Sequence, residues 1–257
     1  MFADFIPSVP ASQLPPGEVH LWLIDTRDCL EKDRLFQGSG LLSEDEKRRW
    51  RQFRRAEKQH QFLAGRVALR CILAALLNQT SPREITFTTN AYGKPALYNT
   101  REHLQFNLSH SDNLVLIAVA RDRACGVDIQ QMKNTRKADE LARFYFHPAE
   151  YSTMKPQEDK ATNLRQFYKL WVLKEAFIKA EGKGMAIPGD GFCFCDIESD
   201  NPRVSVTHPT VASGQPWWFH HQFYADSFSM ALALATHTES GPITLLRRRF
   251  DISACLS

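Results

Sequence analysis

Residues 166–181 constrain the fold more than any other stretch of this sequence. No Pro or Gly interrupts them and good helix formers dominate, so the spacing predicts one long helix. Phe167, Leu170, Val172, Leu173, Phe177 and Ile178 are too many for one narrow stripe, which predicts burial on most sides. Gly182 offers a left-handed C-cap, and Pro188 prevents continuation. Inside this apolar helix Glu175 and Lys179 lie four residues apart on one face. Spacing alone favours an intrahelical ion pair between them.

At 257 residues, 43% hydrophobic and 24% charged, the chain has the content of an ordinary globular protein, with room for one large domain or two smaller ones. A net charge of +3 is too small to argue for nucleic acid, and none is expected as a partner. No apolar run approaches the roughly 20 residues of a membrane helix. Residues 1–17 hold several prolines and lack the basic start and apolar core of a signal peptide, so a cytoplasmic location away from membranes is expected. Six cysteines are scattered without a paired framework. Cys193-Phe194-Cys195 puts two thiols on one strand face, yet no Cys/His pair follows at zinc-ligand spacing; buried, reduced thiols are expected.

In chain order, residues 1–17 read as an irregular arm, 19–24 as a buried strand and 30–40 as a loop. Ser43-Glu44-Asp45-Glu46 has the form of a capping box. Seven cations follow between Lys47 and Lys58, anchored by Trp50 and Phe53; most suit a solvated helix face, but their density suggests an anionic ligand. A second helix is expected over 57–78, a strand over 84–89, and a turn at Asn90-Ala91-Tyr92-Gly93-Lys94-Pro95. Residues 106–112 alternate and then break into polar turn formers. Strands follow at 114–120 and 126–130; in the second, Val127 and Ile129 face one side and Asp128 and Gln130 the other. A helix near 138–146 precedes a turn at His147-Pro148. Strands are expected at 192–197, Trp217–Tyr224 and Phe228–Ala235, ahead of a basic tail at Arg247-Arg248-Arg249. Residues 112–120 resemble residues 226–235, and Gln61-Phe62 matches Gln166-Phe167. This faint repeat points to an α+β fold of two similar lobes, 1–122 and 123–257, meeting near Arg121-Asp122-Arg123.

Asp128 and Glu175, with the neutral amide of Gln130, form an oxygen donor set suited to Mg²⁺, which takes one or two carboxylates plus substrate phosphates. Lys179, one turn beyond Glu175, would complement phosphate charge, as would the cationic stretch and the Gly93-Lys94 turn. Trp171 reads as core, and Lys174 as a neutraliser of Glu175 or a solvent-facing lysine. The same acids would serve another Mg²⁺ enzyme, such as a nucleotide pyrophosphohydrolase. A non-catalytic binding protein is a further reading.

Gly126-Val127-Asp128-Ile129 followed by Trp171-Val172-Leu173-Lys174-Glu175-Ala176-Phe177-Ile178-Lys179 resembles the signature pair of the 4′-phosphopantetheinyl transferases. Size and layout are similar to the two-lobed, surfactin-synthetase-activating subgroup, a pseudo-dimer in one chain with a long helix on a small, mostly antiparallel sheet in each lobe. The resemblance covers residues 42–235. It implies Mg²⁺-dependent transfer of the phosphopantetheine arm of coenzyme A to a serine of an apo acyl or peptidyl carrier protein, of the holo-acyl-carrier-protein synthase type. Adenosine 3′,5′-bisphosphate is released, and the enzyme is expected to act as a monomer. By motif it implies Asp128, Glu175 and Lys179 as catalytic residues, with Asp128, Glu175 and Gln130 about the metal. Glu175 would also help deprotonate the serine, and Lys179 would bind the pyrophosphate. Ser109, His110 and Arg49 would contact the 3′-phosphate and adenosine end, with Gly93 and Lys94 on the adenine side. Gln130 departs from the commonest pattern, which has a glutamate there.

Overall fold

The computed structural model describes residues 6–7, 14–28, 32–77, 81–100, 103–133, 138–154, 160–211, 215–236 and 241–252. They form a mixed α+β structure with two compact units: Met1–Thr88, Pro95–Asp122 and Gly241–Ser257 in one, Thr89–Lys94 and Arg123–Ser240 in the other. No described helix is long and apolar enough to cross a membrane.

The first unit runs through strands β1 (Ile6–Pro7) and β2 (Glu18–Asp25), then helices α1 (Lys32–Gln37), α2 (Glu44–Gln52) and α3 (Ala56–Leu76). A short ribbon follows, β3 (Phe87–Thr89) with β4 (Pro95–Leu97), then β5 (Leu104–Ser111) and β6 (Leu114–Arg121). Strand β6 lies between β2 and β5 and is antiparallel to both. Helix α3 buries Leu63, Ala64, Val67, Ala68 and Ile72 in a core shared with Trp22 and Ile24 of β2 and Val115, Ile117 and Val119 of β6, which alternate onto one sheet face.

The second unit holds β7 (Cys125–Gln131), α4 (Ala138–Tyr145), α5 (Pro148–Thr153), α6 (Lys160–Glu181), the ribbon β8 (Phe192–Cys195) with β9 (Arg203–Val206), and then β10 (Trp217–Tyr224) and β11 (Phe228–Ala235). Strand β11 lies between β10 and β7, again antiparallel to both. Helix α6 is the predicted long helix. It ends where Gly182 turns left-handed at φ 72°, and it is buried through Phe167, Leu170, Leu173, Ala176 and Phe177. Phe177 packs among Phe192 at 4.8 Å, Trp217 at 5.1 Å and Phe219 at 6.1 Å. Each fully buried phenylalanine among them contributes about 1.5–3 kcal/mol of transfer free energy.

Several elements differ from expectation for local reasons. Residues 32–37 are helical where a loop was expected. The strand expected from 84 starts at Phe87, because Pro82–Glu84 forms a 3₁₀ turn capped by the Ser81 side chain. His147-Pro148 opens α5 instead of a simple turn: the imidazole Nδ1 accepts from the Ala149 N–H, and Pro148 takes the first helical position, where its missing N–H costs nothing. Residues 203–206 pair with β8 as a strand that the sequence did not suggest. The basic tail is a strand too, β12 (Thr244–Arg249), inserted between β1 and β2 and parallel to both. By contact, residues 241–257 group with the first unit, and a break falls between Asp122 and Arg123. Cys71, Cys125 and Cys193 are buried cysteines, but Cys195 is exposed; Cys29 and Cys255 lie outside the described residues, as does most of the expected N-terminal arm.

Candidate active site

The site begins with a glycine. A Cβ on Gly126 would stand 2.1 Å from the Ala176 carbonyl oxygen and 2.3 Å from the Ala180 nitrogen, so only glycine lets β7 run against the α6 backbone. Two residues along, on the same strand face, Asp128 is carried toward α6 and is only 1% exposed. Its Oδ1 accepts from the Lys179 ammonium at 2.6 Å. Lys179 thus pairs with the strand aspartate, and the Glu175–Lys179 pairing favoured by spacing is not the one formed.

Glu175, one turn before Lys179, accepts a hydrogen bond at Oε1 from the Tyr145 phenol, 2.6 Å away at the end of α4. Burial raises the pKa of the phenol far above its ordinary 10, and the charges of Glu175 and then Asp128 add to the rise, so Tyr145 stays a protonated donor. Gln130, on the same face as Asp128, donates its Nε2 to Asp128 Oδ2 at 3.4 Å.

Lys174, in the middle of the helical motif, turns away from this chemistry. It is fully buried, with Nζ 2.6 Å from Glu150 Oε2, 2.9 Å from the Phe192 carbonyl oxygen and 4.1 Å from the centroid of the Phe192 ring. Burial pushes its pKa down, and the Glu150 carboxylate opposes that only in part. Glu150 also accepts from the N–H groups of His147 at 2.9 Å and Phe194 at 2.7 Å. The expected partner, Glu175, is replaced by Glu150. This pair ties α5, α6 and β8 together from behind the site.

In the turn after β3, Gly93 takes φ 86°, and the Asn90 side chain accepts from the N–H groups of Tyr92 and Lys94, both at 2.9 Å. The Lys94 ammonium donates to the Ala180 and Cys125 carbonyl oxygens at 2.8 and 3.1 Å. Asn90 Nδ2 donates to the Gly182 carbonyl oxygen at 2.8 Å. The turn thus fastens to the end of α6 and the start of β7.

Arg49, Ser109 and His110 belong to the first unit. Ser43 and Glu46 form the expected capping box on α2, and the acidic first turn pairs with Lys47 and Arg48 of the cationic run. Arg49 is exposed, its guanidinium 5.7 Å from the centroid of the Phe62 ring. Ser109 and His110, adjacent on β5, leave opposite faces of the sheet: Ser109 is buried and His110 exposed.

Asp128, Glu175 and Gln130 offer oxygen donors, the chemistry a hard divalent ion requires. No group of three His, Cys, Asp or Glu converges among the described residues. Asp128 and Glu175 would supply two carboxylates, a donor set that fits Mg²⁺ completed by water and phosphate oxygens.

Sequence reasoning missed Tyr145 and Glu150. Tyr145 lies in an aromatic run with Phe144 and Phe146, where nothing singles it out. The His147-Pro148-Ala149-Glu150 order is a capping pattern that could have revealed Glu150.

Residues 124–233 match the model of the 4′-phosphopantetheinyl transferase superfamily, and residues 31–122 match that of the 4′-phosphopantetheinyl transferase N-terminal domain. The chain is 35% identical over 216 residues to the 4′-phosphopantetheinyl transferase HetI of Nostoc sp., covering 83% of this chain and 86% of that protein. It is 34% identical over 210 residues to a 4′-phosphopantetheinyl transferase of Bacillus subtilis, covering 81% and 87%. With the 4′-phosphopantetheinyl transferase Sfp of Bacillus subtilis it shares 34% identity over 151 residues, 59% of this chain and 65% of that protein. A glycine-permitted strand–helix contact that pairs a buried aspartate with a helical lysine, one turn beyond a glutamate, thus occurs in a chain that belongs to the 4′-phosphopantetheinyl transferase family, of the Sfp-like type.

Proposed function

We propose that this protein transfers the 4′-phosphopantetheine arm of coenzyme A to a serine of an apo acyl or peptidyl carrier protein, an activity of the holo-acyl-carrier-protein synthase type. The observation that carries the proposal is the ion pair of Lys179 on α6 with Asp128 on β7, one helical turn from Glu175. Asp128 and Glu175, with Gln130 beside them, would hold Mg²⁺, which when bound neutralises pyrophosphate charge. Glu175 accepts the proton of the attacking serine hydroxyl, directly or through water. The serine oxygen bonds to the phosphorus that carries pantetheine. The bridging P–O bond breaks toward adenosine 3′,5′-bisphosphate, whose new charge the Lys179 ammonium stabilises. Arg49, Ser109 and His110 are proposed contacts of the 3′-phosphate and adenosine end, and the Gly93-Lys94 turn a contact of the adenine side.

The two-lobed pseudo-dimer is part of the same proposal. Each unit contains a strand, a long helix, a two-stranded ribbon and two antiparallel strands, the last of them central in the three (β2-β6-β5 and β7-β11-β10). The similar segments 112–120 and 226–235 fall on the equivalent turn and strand, and Asp112 and Asp226 both adopt positive φ, 51° and 52°.

The test is to incubate the protein with coenzyme A, Mg²⁺ and several apo carriers and weigh the carriers. A gain of one phosphopantetheine per carrier, absent without Mg²⁺, is expected. Hydrolysis of coenzyme A without any carrier would favour a pyrophosphohydrolase instead.

A further inference from the structure

Glu175 is a glutamate on a helix, with rotatable torsions that its own helix does not fix. Asp128 is short, buried and held by a cation. Glu175 is instead met by the neutral Tyr145 hydroxyl at 2.6 Å. A neutral donor orients a carboxylate without cancelling its charge; a second lysine would orient it and neutralise it together.

The tyrosine itself is firmly held. Its ring packs against Trp171, tilted by 35° with 5.0 Å between centroids, and Trp171 lies one turn before Glu175 on α6. On its other side Gly189 passes so close that a Cβ there would stand 2.5 Å from the Tyr145 carbonyl oxygen and 2.6 Å from its ring. Phe146, the next residue, is anchored in the core. Packing therefore accounts for the ring and leaves the hydroxyl with one described partner, Glu175 Oε1. Phenylalanine would fill the same space.

We propose that Tyr145 is a positioning residue: its hydroxyl holds Glu175 Oε1 so that Oε2 is presented to the reacting serine. This rests on the role proposed for Glu175. The test compares wild type, Tyr145→Phe and Glu175→Ala with coenzyme A, Mg²⁺ and an apo carrier, reading kcat and KM separately. Calorimetric coenzyme A binding in Mg²⁺ and thermal unfolding are measured on the same samples. Tyr145→Phe is expected to lower kcat about ten- to a hundredfold, the worth of one hydrogen bond to a charged group. KM for both substrates, coenzyme A affinity and melting temperature should stay within experimental spread. Unchanged kcat overturns the proposal. So does a loss shared by kcat, coenzyme A affinity and melting temperature, which would make the hydroxyl a part of the packing. A wild type that transfers nothing, or an active Glu175→Ala, would sink the role of Glu175 itself and is read separately.

Discussion

At the scale of single residues, Asp128 and Glu175 carry similar charge under different restraint. Asp128→Ala or Glu175→Ala is expected to abolish carrier modification while the circular dichroism of the fold persists; a folded variant with near-normal turnover would exclude the site. Gln130 turns its NH₂ toward Asp128, which gives it a supporting part at the proposed metal site. Gln130→Ala should raise the Mg²⁺ concentration needed for half-maximal transfer without eliminating it, and Gln130→Glu should lower it. A Mg²⁺ titration of transfer rate that is identical in both variants would remove Gln130 from the metal's surroundings. The placement of Asp128 on a strand and of Glu175 on the long helix was legible because strand alternation and helix spacing are local rules. The partner of Lys179 was not: intrahelical spacing offers Glu175, but the Gly126 contact brings Asp128 nearer, and that contact joins positions fifty residues apart in sequence.

At the scale of elements, two buried carboxylates brace helices. Glu150 holds Lys174, and removing one partner of a buried pair strands the other; Glu150→Ala should cost about 3–5 kcal/mol in denaturant unfolding, with transfer lost as α6 shifts. Glu46 caps α2 and also binds Arg66 and Arg70 of α3. Burial pushes its pKa up, but the Arg66 charge, the Ser43 N–H bond and Arg70 outweigh that and hold it below the ordinary 4.5. A depressed carboxyl stabilises the fold fully above 4.5, and this contribution is lost as pH falls through the lower folded value. The stability gap between wild type and Glu46→Gln should therefore be flat above pH 4.5 and close below it. A gap that widens on acidification would contradict this assignment. The capping box was readable from four consecutive residues, whereas the arginines came from the next helix.

At the scale of the whole molecule, the long helices and the strands at Trp217–Tyr224 and Phe228–Ala235 were legible because each repeats one burial pattern over many residues. Strand β12 was not, since Arg247-Arg248-Arg249 reads as solvated charge. Its pairing with β2 decides its structure instead, and Arg248 lies 5.5 Å from the centroid of the Trp22 ring. Removing residues 241–257 should uncover one edge of β2, lower the melting temperature and promote aggregation, read by light scattering on heating. The β12 pairing also sets an order of events at the ribosome. The first unit lacks an inner strand of its sheet until the entire second unit has been synthesised. During that interval β2 has an open edge made of apolar and aromatic residues. Nascent chains should therefore depend on chaperones until residues 244–249 emerge, and a stalled or prematurely ended chain becomes a substrate for quality control even with its second unit fully translated.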